Sequence, residues 1–120
     1  MSTKVTPIAV SAAGGMTIDV PAQGEILAVG LAIGTLDTPD ITITDLDTGA
    51  AIFSKSAIAA SGRWHPRAAA QTVAGVDTAD AAGPPETNVA YVPPVCLHRA
   101  HVVVAGAGNA TKGTLYIYYR

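Results

Sequence analysis

Few residues in this 120-residue chain have the types and spacing that chemistry requires. Cys96 is the single thiol, and His98 and His101 follow it closely. A thiol nucleophile needs a base beside it and a group that orients the base. His98 meets the first need formally, because residues two apart on an extended strand share a face. No oxyanion loop or orienting acid accompanies the pair in the sequence. His98 and His101 are three apart, so a continuous strand sends them to opposite faces and they cannot grip one metal ion. Cys96 with His98 supplies two ligands where a structural zinc site takes four. The expectation is a packed cysteine and a surface histidine, with no catalytic residues, no metal, no cofactor and no enzyme activity.

Three further groups carry polar or aromatic chemistry. Asp45, Asp47 and Gly49 follow a D-x-D-x-G spacing. Two carboxylates two apart suit calcium, but a full calcium loop needs more oxygens and a later bidentate glutamate, which this one lacks. A hairpin turn with solvated aspartates is the expectation. Arg63, Trp64, His65, Pro66 and Arg67 form the one dense polar and aromatic cluster, with the only tryptophan. Trp and Arg dominate interface hot spots. Trp64 is read either as such an anchor or as a cap on the core, burying about 150–250 Å² in both cases. Arg63, Trp64, His65 and Arg67, with Pro7 and Ile8 near the N-terminus, are the candidate protein-interface residues. Tyr116, Tyr118 and Tyr119 form either a stacking surface for a sugar or ordinary cross-strand packing. No basic run lies near them, which disfavours nucleic acid.

Composition narrows the field. Hydrophobic residues make up 49% and charged residues 13%, with net charge −2. A typical domain is about 25% charged. Nucleic-acid binders usually carry a basic stripe, and none exists here. A surface so poor in charge fits coverage by other protein; an alanine-rich composition inherited from a GC-rich genome accounts for it equally. The longest charge-free apolar run, residues 26–36, has eleven residues and two glycines, against about 20 needed to span a bilayer. No membrane segment is expected. Residues 7–10 are too short for a signal-peptide core, so export by that route is not expected. One cysteine cannot build an internal disulfide framework.

The elements that must position these residues are strands. Residues 3–10 are extended, and Pro7 restricts them to an edge strand or a docked N-terminal arm (1–10). Residues 11–15 turn. Met16, Ile18 and Val20 alternate with Thr17 and Asp19, the period of a strand with one wet face. In residues 25–33, Leu27, Val29, Leu31 and Ile33 line one face and Ile26, Ala28, Gly30 and Ala32 the other. Neither is polar, so both should be covered, and the small side chains allow close approach. Residues 40–46 and 50–54 form a hairpin around Asp47, Thr48 and Gly49. Residues 95–105 and 113–119 supply the last strands, with a turn at 106–109. Residues 88–92 are a further candidate. Between these flanks lies a forty-residue stretch, 55–94, with eleven Ala, five Pro and three Gly. It predicts a long central loop, since connections beyond about 12–15 residues are uncommon unless functional or disordered. The total of six to eight short strands predicts an all-β, single-domain antiparallel β-sandwich or jelly roll over residues 1–120.

Four segments resemble a known family: DITITDLDTG at 40–49, YVPPV at 91–95, VVVAGAGN at 102–109 and GTLYIYY at 113–119. Together they look like the small β-sandwich decoration, or cement, proteins of tailed-bacteriophage capsids. The resemblance implies a structural virion protein, made in the host cytoplasm and placed on the capsid exterior. It implies a homodimer or homotrimer that clamps neighbouring major capsid proteins, with N-terminal arm and long loops as contacts. The long alanine-rich central stretch departs from that pattern. The alternatives are a tail, baseplate or head-fibre component, and a carbohydrate-binding β-sandwich module.

Overall fold

The computed structural model describes residues 2–10, 14–69 and 91–120. In chain order the strands are β1 (Ser2–Ala9), β2 (Met16–Val20), β3 (Gly24–Ala32), β4 (Asp40–Asp45), β5 (Ala51–Lys55), β6 (Gly62–Trp64), β7 (Ala68–Ala69), β8 (Tyr91–Val92), β9 (Val95–Cys96), β10 (Ala100–Ala105) and β11 (Lys112–Tyr119). The protein is all-β. One sheet runs β1, β11, β3, β6, with β9 also paired to β3. The other runs β2, β10, β4, β5, while β7 and β8 form a two-stranded ladder. The two main sheets are antiparallel and pack into a sandwich.

Period-two alternation sets the core. In the second sheet, Val102 and Val104 of β10 lie opposite Ile43 and Ile41 of β4, and all four are buried. In the first, Leu115 and Ile117 of β11 lie opposite Leu31 and Val29 of β3, likewise buried. Their partners on β1 include Thr6 opposite Leu115. Met16 and Ile18 pack half-buried against this core and Val20 within it, the face expected from sequence.

Two bulges break the alternation. Tyr118 lies opposite Ala28 but Tyr119 opposite Ile26, so Leu27 is an extra residue. A bulge inserts one residue and shifts the side-chain phase beyond it. Ile26 therefore joins Val29 and Leu31 in the core, and the expected placement of Ile26 with Ala28, Gly30 and Ala32 is corrected. A similar shift between Ile43 and Thr44 lets adjacent Ile52 and Phe53 both face inward.

β1 is the edge strand that Pro7 predicted, paired only to β11. The Val10 amide donates to the Thr111 carbonyl at 3.0 Å. Alternation of an antiparallel ladder then gives the even residues of β1 the bonds to β11 and turns Pro7 toward the free edge. The missing N–H costs the ladder nothing there and blunts the edge against pairing with another chain.

Two expectations need correction. The described part of 55–94 is not one loop. β6 pairs with β3 through Trp64 opposite Val29 and Arg63 opposite Gly30, and Ile58 is buried at 2% exposure. Short strands of three and two residues carry too little period to stand out in an alanine-rich sequence. Residues 70–90 of that stretch, the 88–90 part of the candidate strand and residues 11–13 of the first turn lie outside the described residues. Nor is 95–105 one strand. β9 joins the first sheet through β3 and β10 joins the second, so residues 97–99 carry the chain across the sandwich.

β11 is flanked by β1 and β3, so its loss opens the first sheet along two ladders. Deleting residues 112–120 is expected to give a chain without the far-UV β signature or a cooperative melt. Gly24 has φ +122°, and a Cβ there would run into the Arg120 carbonyl oxygen. Gly24→Ala is expected to lower stability by about 1–3 kcal/mol in urea titrations.

Candidate functional site

The outward face of the first sheet is the site the fold assembles. Because Leu115 and Ile117 point inward, Tyr116 and Tyr118 point outward, opposite Gly30 and Ala28 of β3. Val5 lies opposite Tyr116 on the other side and is 60% exposed. The small β3 residues leave room for the rings: a Cβ at Gly30 would touch Tyr116 Cβ and Tyr118 Cε2 at 3.5 Å. From β6, the Arg63 guanidinium carbon stands 4.9 Å from the centroid of the Tyr118 ring. The ring's quadrupole attracts a cation placed there. Gly30, Ala32, Ser61, Arg63, Tyr116 and Tyr118 border a shallow open depression of about 390 Å³. The Ser61 hydroxyl accepts from the Ile33 amide at 2.9 Å, which fixes its position at the rim. Tyr116, Tyr118 and Arg63, read separately in the sequence, thus meet on one surface.

The remaining interface candidates scatter. Trp64 faces inward, packs against the core and sits 5.6 Å from Phe53, ring to ring. It is a cap on the core, as one of its two readings held. His65 is exposed. Arg67 donates to the carbonyls of Leu27 at 3.3 Å and Pro66 at 2.7 Å, which fastens the strand that leaves β6. Pro7 is exposed, but Ile8 is 1% exposed and committed to the core. Tyr119 also packs on the core, apart from the other two tyrosines.

The thiol and carboxyl groups make a structural knot. Cys96 is fully buried, and His98 is exposed beside Asp47 at 3.9 Å. They do not share a strand face, because the strand ends at Cys96; this corrects the sequence reading. His101 instead bonds Asp19 across the β10–β2 ladder at 2.7 Å. Asp45 is not solvated, as the turn reading expected, but 1% exposed. Its Oδ2 accepts from the Thr48 hydroxyl at 2.7 Å, and its Oδ1 from the Leu97 amide at 3.3 Å. The Cys96 thiol reaches the same Oδ1 at 3.9 Å. Asp47 is turned outward, so the two carboxyls do not converge on an ion. Among the described residues, no three His, Cys, Asp or Glu side chains gather as a metal site. Burial pushes the Cys96 thiol above its ordinary value, the His98 backbone bond opposes this, and Asp45 adds to it.

A second surface escaped the sequence reading. Among the described residues, the exposed large apolar side chains are Val5, Leu46, Tyr91, Val92, Val95 and Leu97. Four of these six fall within residues 91–97. Leu46 joins that end of the sandwich, since its amide donates to the Arg99 carbonyl at 3.0 Å. The signal was the apolar string YVPPV followed by Cys96 and Leu97, which a buried strand would show equally well. Large apolar side chains left exposed together in one short stretch point to a contact surface.

The chain matches no family model, no curated protein and no solved structure.

Asp45→Ala leaves the Thr48 hydroxyl and the Leu97 amide without their acceptor and is expected to cost about 1–3 kcal/mol in urea titrations. The Cys96 thiol keeps its proton in the fold where the unfolded chain has lost it. Its contribution is full below the unfolded-state value, about 8.5–9, and fades as pH rises beyond it. The fall in urea midpoint between pH 8 and 10 should be shallower in Cys96→Ala.

Proposed function

We propose that this protein is a capsid decoration protein: a structural virion component that binds the outside of a phage head and stabilises contacts between major capsid proteins. The observation that carries the reading is the exposed apolar rim of Tyr91, Val92, Val95 and Leu97 with Leu46. A lone domain gains nothing from leaving such side chains in water, at about 25 cal/mol per Å². A domain that finishes its burial on a partner does. Interface centres are depleted in charge, and a chain with 13% charged residues suits that requirement. The rim includes the YVPPV segment, one of the four that resemble the cement proteins.

A ligand that binds only the assembled lattice stabilises that lattice by mass action. Repeated copies, or a dimer or trimer with two or three rims, multiply a modest single contact through effective concentration. Val95 is held by the pairing of β9 with β3 and the Leu97 backbone by Asp45, so little ordering entropy is lost there on docking.

The test is cosedimentation with expanded heads that lack the protein. The wild-type chain is expected to pellet with heads. A Val95→Asp, Leu97→Asp variant with unchanged circular dichroism and thermal midpoint should lose about tenfold or more in affinity. Wild-type protein that stays in the supernatant, or a variant that fills heads normally, contradicts the proposal.

A further inference from the structure

We infer that the depression on the outward face of the first sheet is a binding site for an acidic sugar, its carboxylate on Arg63 and its ring against the tyrosines. This surface is separate from the apolar rim and does not depend on the function proposed for it. Its chemistry is mixed. Tyr116 and Tyr118 offer apolar ring surface with a polar tip. Ser61 accepts from the Ile33 amide, which leaves its hydroxyl proton to donate to a ligand. Arg63 brings the positive charge.

Charge decides the class of sugar. Arg63 is exposed, and among the described residues no carboxylate pairs with it; the ion pairs present involve His98, His101 and Arg120. Among the described residues, none bordering the depression is acidic. A guanidinium in that setting favours an anion, and its planar fork matches a carboxylate bidentately. The stack on Tyr118 already holds the side chain, so less freedom is lost when it binds.

Shape and total charge argue against a nucleic acid and against a small anion engulfed in a cleft. A nucleic acid is held by several phosphates, whereas among the described residues Arg63 is the only cation bordering the depression, in a chain of net charge −2. An open, shallow site suits one residue of an oligosaccharide lying across the sheet better than an engulfed small molecule, which takes a deeper cleft. Ala32 is exposed beside the rings and adds little bulk, so a sugar ring can lie close to β3 there.

The experiment is an amide-shift titration of the full ¹⁵N-labelled chain with a short oligogalacturonate, and in parallel with its fully methyl-esterified form. The ester keeps the rings and removes the charge. Saturable shifts at Gly30, Ala32, Ser61, Arg63, Tyr116 and Tyr118 are expected with the acid. Affinity should fall about tenfold or more for the ester and for Arg63→Gln. Arg63→Gln should keep the wild-type thermal midpoint. Three results overturn the inference: no saturable shifts, equal binding of acid and ester, or wild-type affinity in Arg63→Gln. Tighter binding of a single-stranded oligonucleotide at the same amides would also overturn it, by assigning the site to phosphate.

Discussion

One buried carboxyl group ties the sandwich together. Asp45 ends β4 in the second sheet, yet its side chain accepts the Leu97 amide just after β9, which belongs to the first. It thus fastens the point at which the chain crosses between sheets. The crossing needs this support, since residues 97–99 leave one ladder before joining the other and their backbone groups need partners. The Leu97 amide finds Asp45, and the Arg99 carbonyl finds the Leu46 amide. The same bonds hold Leu46 and Leu97 outward at the rim. Fold and proposed docking surface therefore share one hub, and damage to Asp45 should reach both.

The second organising constraint is size alternation on β3. Ala28, Gly30 and Ala32 face outward between larger neighbours, and the tyrosines of β11 settle over the first two. A bulky residue at Gly30 would lift the rings and separate Arg63 from Tyr118. The outward face is thus aromatic and partly self-covered, with a depression left where the small residues lie.

Much of this was legible in the sequence. Alternation at 16–20 and 40–45 located β2 and β4, and Pro7 located an edge. Small residues on one side of β3 announced a close approach, although it is made by tyrosines of the same sheet. Phase was lost wherever a bulge intervened, because period two cannot show that Leu27 is extra or that Ile52 and Phe53 face the same way. The crossing at 97–99 was hidden for a related reason: the apolar residues from Val95 to Val104 look continuous whether they serve one sheet or two. Asp45 in a turn-like D-x-D-x-G string gave no sign of burial. Arg63 and the tyrosines, over fifty residues apart, could be joined only by the β3 register.

We propose that the apolar rim at residues 91–97, and not the sandwich's other faces, meets the capsid. Photo-crosslinking tests it most directly, with a reactive residue placed at Leu97 in one protein and at Thr42, outward on the second sheet, in another. Bound to expanded heads, the Leu97 protein should crosslink to the major capsid protein and the Thr42 protein should not. Crosslinks from Thr42 alone, or from neither position on fully occupied heads, would contradict it.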